Sequence, residues 1–357
     1  MRYRLLACTI SLVWLAALAA PAAVNSQGTP APGHSHEKPG NGDHTYRPMS
    51  WNQTFLAARI FLGPLPAAMP GGEADTPERL ALGQRLYFER GISLNKTKSC
   101  HDCHLLTKGR PGTDNTPTSK GASGIFGKRN TPTVINAGFQ SAQFWDGRAH
   151  NLAEQAKGPI LNPIEMELRT PEEVIRRLRN IDGYPEAFRR AFPGGPDPMT
   201  YDNLAEAIAA FERTLVAPGR FDRLFAGQEN ALTTQEKRGL AKFIQYRCVE
   251  CHSWATVGGR LYHKMGQRHP YADKDDLGRY EITKKDEDRH VFKVPLLRNV
   301  TRTPPYFHDG RVPDLKEAVR LMGWLQLDRQ LTRGDIADLI AFLRTLEGNL
   351  PLIEPPR

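Results

Sequence analysis

Apolar residues recur every three or four positions in two widely separated stretches of the chain. Leu204, Ile208, Phe211 and Leu215 fall on one face of the first stretch, and Ile336, Leu339, Ile340 and Leu343 on one face of the second. That spacing predicts an amphipathic helix in each place. The second helix opens on Thr332-Arg333-Gly334-Asp335, which reads as a cap. A further helix is predicted upstream of each. Thr76 caps one, Pro77 takes its first position, and the helix runs to about Phe88. Thr233-Thr234-Gln235-Glu236 is a capping box for the other, which runs to about Tyr246. Both carry a glycine mid-helix, Gly83 and Gly239. Glycine there costs helix stability, so close packing of another helix is the expected reason. Gly and Pro punctuate the connections, as in Gly194-Gly195-Pro196, and little reads as strand. The pattern is mainly α, with one helical plan laid down twice.

A chain of 357 residues has room for about two domains, each with its own core. Its N-terminus reads as a secretory signal over residues 1–22. Arg2 and Arg4 supply charge, Leu5 to Ala20 is apolar, and Ala20-Pro21-Ala22 offers a small-residue cleavage site. The apolar run is short for a membrane anchor and no cationic stop-transfer follows it. Cys8 comes too early, with almost no apolar segment before it, to be a lipoprotein cysteine. Residues 23–50 are rich in Gly, Pro, Asn and Ser and read as a flexible linker; His34, His36 and His44 in it need no special role. The expected domains are 51–228 and 229–357. The formal net charge of +9 is spread along the chain with no aromatic-interleaved basic stripe, which argues against nucleic acid. A mildly basic surface suits an acidic redox partner.

Chemistry enters with the cysteines. Of five, Cys8 leaves with the signal, and the other four form Cys100-His101-Asp102-Cys103-His104 and Cys248-Val249-Glu250-Cys251-His252. No cysteine remains for a structural disulfide. One such motif alone admits a redox or zinc role. Two behind a secretory signal, each after a capped helix, point to two c-type haems. The thiols of Cys100, Cys103, Cys248 and Cys251 would bond the haem vinyl groups, with His104 and His252 as proximal iron ligands. Helix, haem motif, long loops and closing helix is the plan of a class I cytochrome c domain, here twice in tandem.

The sixth ligand decides what each iron does. No His or Met lies between His104 and His150; Lys108, Lys120 and Lys128 do, but a charged lysine is usually in water. The first haem is therefore expected to be five-coordinate or water-bound. For the second haem the candidates are Met265 and Met322, and Met322, shortly before the closing helix, is in the usual order. Met/His ligation would raise the potential and suit electron entry.

From about residue 76 to 348 the sequence resembles the bacterial dihaem cytochrome c peroxidase family. The resemblance rests on Arg129-Asn130-Thr131-Pro132-Thr133, Phe144-Trp145-Asp146-Gly147-Arg148-Ala149, Glu154-Gln155-Ala156-Lys157-Gly158-Pro159, Phe292-Lys293-Val294-Pro295-Leu296-Leu297-Arg298-Asn299 and Pro305-Tyr306-Phe307-His308-Asp309-Gly310. It implies a periplasmic enzyme that reduces hydrogen peroxide with electrons from a small cytochrome c or copper protein, commonly as a homodimer. It implies that Trp145 lies between the haems and that Gln155, Pro159 and Glu165 face the peroxide site. It further implies a calcium site at Asn130 with the carbonyls of Thr303 and Pro305, and Met322 as distal ligand of the electron-accepting haem. A carboxylate near a haem face can have its pKa raised into the working range, and Glu165 is the expected proton shuttle. Gln155 would orient peroxide. Asp146 and Arg148 are expected to pair and hold their turn, and His308 to be a hydrogen-bonded structural residue.

One departure stands out. Typical members carry a removable distal His where this chain has Ala122, in Gly121-Ala122-Ser123-Gly124. The related dihaem enzyme that matures methylamine dehydrogenase by oxidising tryptophans of its partner also lacks that His, but has Tyr in place of Met322. Two rival readings follow: an oxidase of partner-protein residues, and a plain electron-transfer cytochrome.

Overall fold

Capping side chains set where the helices begin. In the computed structural model, which describes residues 48–349 and 352–356, Ser50 accepts from the Gln53 amide and opens α1, Trp51–Phe61. The expected signal and nearly all of the linker lie outside the described residues. Thr76 accepts from the Arg79 amide and opens α2, Pro77–Tyr87. A single turn, α3, is Cys100–Cys103. Four helices follow in the first half: α4 Leu152–Leu161, α5 Pro171–Arg179, α6 Tyr184–Ala191 and α7 Tyr201–Arg213. Then come α8 Arg220–Phe225, α9 Thr234–Gln245, the short α10 Tyr280–Thr283, α11 Leu315–Leu327 and α12 Arg333–Thr345. The capping box expected at Thr233 with Glu236 is present, and the cap expected at Thr332 is also a capping box, with Asp335. The named strands are β1, Tyr262–Lys264, and β2, Val291–Lys293, which pair antiparallel with Tyr262 opposite Lys293.

The mid-helix glycines mark two helix crossings. A Cβ on Gly83 would lie 1.8 Å from the Ala207 carbonyl oxygen, so α2 and α7 touch backbone to backbone. A Cβ on Gly239 would lie 1.9 Å from the Asp338 carbonyl oxygen, where α9 meets α12. Each pair is the helix before a Cys-x-x-Cys-His loop crossing the helix that closes the same half. Glycine's helix cost is offset by the contact its missing side chain allows.

Two large apolar cores result, beside two smaller clusters. One gathers Leu82, Leu86, Ile160, Leu178, Phe188, Leu204 and Ile208. The other gathers Leu240, Phe243, Leu339, Phe342 and Leu343, and it also takes Ala58 and Leu62 at α1 and Phe221 and Leu224 of α8. The expected boundary at residue 228 thus does not follow the packing. The apolar face of α1 completes the second core, across more than 150 residues of intervening chain. An ion pair fixes that arrangement: Arg298, with 0% side-chain exposure, donates to both oxygens of Asp222 at 2.7 and 2.9 Å. Among the described residues no helix is long and apolar enough to cross a membrane.

Candidate functional site

The first Cys-x-x-Cys-His turn is pinned from outside. Asp102 accepts from the Ser99 amide and hydroxyl at 2.8 Å each, and from Arg90 at 2.6 and 3.0 Å. The His104 amide then closes the turn on the Cys100 carbonyl at 2.9 Å, while Tyr87 donates to the His104 carbonyl at 2.7 Å. His104 Nδ1 faces the Gly112 carbonyl at 3.3 Å. A hydrogen bond there leaves the Nε2 lone pair for a metal, the usual outer-shell device of a ligating histidine. Burial lowers the pKa of the ring, which favours the neutral, ligating form.

Beside this turn is a cavity with about 620 Å³ of empty space, counting its open mouth. Cys100, Cys103 and His104 line one part of it, and Gln155, Pro159 and Glu165 another. All three residues expected at the peroxide face therefore meet the first haem motif. Gln155 and Pro159 come from α4, which starts on the Asn151 side chain. Glu165 follows α4 in a turn where Asn162 Nδ2 donates to its Oε1 at 2.7 Å. Burial pushes the Glu165 carboxyl up, against opposing pulls from Arg148 and Asn162. The buried Ala122 is held by its backbone: its N–H donates to the Glu165 carbonyl at 2.7 Å and its carbonyl accepts from Asn95 at 2.8 Å. Its methyl group offers no ligand atom.

The cavity also contains groups that the motifs do not announce. Glu212 of α7 is buried, its Oε2 has no hydrogen-bond partner, and burial raises its pKa to about 8. The spacing signal was available, since Glu212 lies four residues after Ile208 on the buried face of that helix. Met166 lines the cavity too, beyond the stretch between His104 and His150 that holds no Met or His. Of the three lysines considered as sixth ligands, Lys120 reaches this lining, and Lys98 joins it.

The second motif opens onto a larger, mostly apolar cavity, with about 1840 Å³ of empty space including its mouth. Cys248, Cys251 and His252 line it, and so do both methionine candidates, Met322 of α11 and Met265. The Met265 sulfur is engaged by Gln326 Nε2 at 3.8 Å. Burial lowers the His252 pKa to about 4, which favours the neutral, ligating form. None of the four motif cysteines is in a disulfide, and burial raises the thiol pKa of each, to about 11 at Cys103 and about 12 at Cys248. Paired unbridged thiols, a buried neutral imidazole and a cavity beside each motif are the donor set and space that a c-type haem needs.

Trp145 lies in the wall of the second cavity although it belongs to the first half of the sequence. Its indole N–H donates to the Asn130 carbonyl at 2.8 Å, and its own carbonyl accepts from the Lys293 amide at 2.7 Å. The turn after it is held as expected: Arg148 pairs with Asp146 at 2.8 Å, and Arg129 adds a second bond at 2.6 Å. A Cβ on Gly147 would lie 1.9 Å from the Tyr262 hydroxyl, so this turn and β1 are in direct contact. Asn130, Thr303 and Pro305 share the cavity wall, and Asn130 Nδ2 donates to the Thr116 and Pro117 carbonyls. His308 is buried and stacks on Phe292, but its Nε2 lacks a hydrogen bond; Asp273 lies 3.6 Å away.

A helical fold with two such cavities defines a dihaem c-type cytochrome. Residues 77–230 match the family model described as di-haem cytochrome c peroxidase. The chain is 44% identical to the cytochrome c551 peroxidase of Pseudomonas aeruginosa, over 80% of this chain and 83% of that protein. It is 31% identical to the methylamine utilization protein MauG of Methylophilus methylotrophus, over 86% of this chain and 93% of that one. Among solved structures it resembles a MauG-like protein associated with microbial copper homeostasis, with a TM-score of 0.70 and 28% identity, over 80% of this chain and 93% of that chain. The chain belongs to the di-haem cytochrome c peroxidase family, and it is an enzyme of the peroxidase class.

Proposed function

We propose that this chain is a periplasmic peroxidase that reduces hydrogen peroxide to water with two electrons from a small cytochrome c or copper protein. The observation that carries the reading is Glu165, a carboxyl with a raised pKa in the same cavity as His104 and Gln155. A c-type haem held by Cys100, Cys103 and His104, and another held by Cys248, Cys251, His252 and Met322, would supply the redox iron. Peroxide takes up two protons and two electrons and becomes two waters. Burial favours the protonated form of Glu165, which passes its proton to the departing oxygen and is reprotonated from solvent. Gln155 offers an N–H and a carbonyl oxygen to the two ends of the peroxide. Trp145, bonded to Asn130 on one side and Lys293 on the other, carries electrons from the second centre to the first.

The same reading includes two class I cytochrome c-like units in tandem, supported by the paired crossings at Gly83 and Gly239. It includes a calcium ion on Asn130 Oδ1 and the carbonyls of Thr303 and Pro305, hard oxygen donors suited to that ion. Asn130 Nδ2 is taken up by the Thr116 and Pro117 carbonyls, which leaves Oδ1 as the atom of that side chain suited to a cation. A homodimer is part of the reading on family resemblance alone.

The test is Glu165→Gln in the full, haem-loaded chain. Peroxide turnover with a reduced small cytochrome c should fall about 100-fold or more while both haems stay attached. Turnover equal to the parent would overturn the role. One observation favours a second reading, an oxidase of partner-protein residues: Ala122 provides no distal ligand, and MauG proteins are among the relatives. Sluggish turnover of the parent with reduced cytochrome c would favour that reading.

A further inference from the structure

Lys293 is 6% exposed, at the end of β2. Its backbone amide bonds Trp145, and its ammonium donates to Gln140 Oε1, a neutral acceptor. The acid acting on it is Asp146, which already accepts from Arg129 at 2.6 Å and Arg148 at 2.8 Å. Arg129 in turn takes Asp276 at 2.6 Å. Among the described residues Lys293 forms no ion pair of its own. An ammonium has three donors, and a buried charge without a counter-ion is costly, so an anion is called for. Lys293 lines the larger cavity together with Cys248, Cys251 and His252, and the rest of that wall is mostly apolar.

We propose that Lys293 is the charge partner of a haem carboxylate, taking a propionate of the haem held by Cys248, Cys251 and His252. This rests on the reading of the larger cavity as a haem site. A c-type haem spends its vinyl groups on the two thiols and keeps its propionates as carboxylates, the one anion its own chemistry brings into the cavity. A charge-assisted bond to Lys293 satisfies both partners. It would neutralise the negative charge of the propionate, which disfavours the more positive oxidised state and raises the potential of that centre. The same residue is bonded to Trp145, so haem position and Trp145 position are set together.

The experiment compares Lys293→Met and Lys293→Arg with the parent as full-length, haem-loaded protein. Three quantities are read: haem per chain, the midpoint potential of each haem by spectroelectrochemistry, and the propionate bending band in resonance Raman spectra. Lys293→Met should keep two haems, shift the second potential downward, leave the first unchanged and move the propionate band. Lys293→Arg should restore both signals. Two haems with an unchanged potential and band in Lys293→Met would overturn the assignment. Should Lys293→Met lose its second haem, Lys293→Arg decides: a parent-like band supports the pair, and the band of an unpaired carboxylate refutes it. A parent chain without haem at Cys248 and Cys251 would instead sink the reading of the cavity itself.

Discussion

The cavity beside His104 and the cavity beside His252 open from near-identical five-residue motifs but carry opposite buried charge chemistry. The first contains two carboxyls, Glu165 and Glu212, whose pKa values burial raises. The second contains the buried ammonium of Lys293 in a largely apolar wall with two methionines. Acids that retain protons suit a place where protons are delivered. A cation and a thioether suit a place where an electron is held. The attachment motif sets where a haem is bound; groups from distant elements set what it does.

Several substitutions separate the two regions. The largest stability effect is expected in the second core, at Asp222→Asn, which leaves the Arg298 guanidinium buried with its partner's charge removed. Breaking one side of such a pair costs about 3 kcal/mol or more. Chemical denaturation of the haem-loaded protein should show that loss, and an unchanged midpoint would mean the pair contributes little.

Next come the crossings. Gly83→Ala and Gly239→Ala each force a methyl group onto a carbonyl of the facing helix. Overpacking of this kind costs about 1–3 kcal/mol. If the halves are equivalent modules, the two variants should lower the melting temperature by similar amounts. A strongly unequal loss would break the equivalence and mark the less tolerant half.

The last effect is confined to one pH window and concerns Glu212. Its folded pKa, about 8, lies above the ordinary 4.5 because burial disfavours the charge. The folded state therefore favours the protonated acid. That contribution is fully present below about pH 4.5 and is lost as pH rises through about 8. The parent should lose a few degrees of melting temperature across that window, and Glu212→Gln should lose less. Equal slopes would show that Glu212 does not titrate in this way.

Local pattern was enough for the capped helices, because a cap or an amphipathic face is written within one turn or a few. It also sufficed to expect close packing at Gly83 and Gly239. It did not announce α4, α5 and α6, which are short and, in α4, interrupted near the end by Pro159. Nor did it place α1 in the second core, since an apolar face does not name the surface that will cover it. In the first cavity, Gln155 and Glu165 came from resemblance. Glu212 is the one acid among the buried, otherwise apolar members of α7, and Met166 lies beyond His150, where no local spacing ties it to the first motif.

By itself the sequence determined the two haem-attachment turns, the helices that flank them and the glycines at which those helices cross. These depend on residues a few positions apart and on steric facts that hold in any context. Tertiary structure alone decided which groups share a cavity. It brought Glu165 and Glu212 to His104, set Trp145 of the first half into the wall beside His252, and left Lys293 buried near an Asp146 already engaged by two arginines. Burial is what raises an acid's pKa or isolates a cation, and it depends on the whole chain's packing.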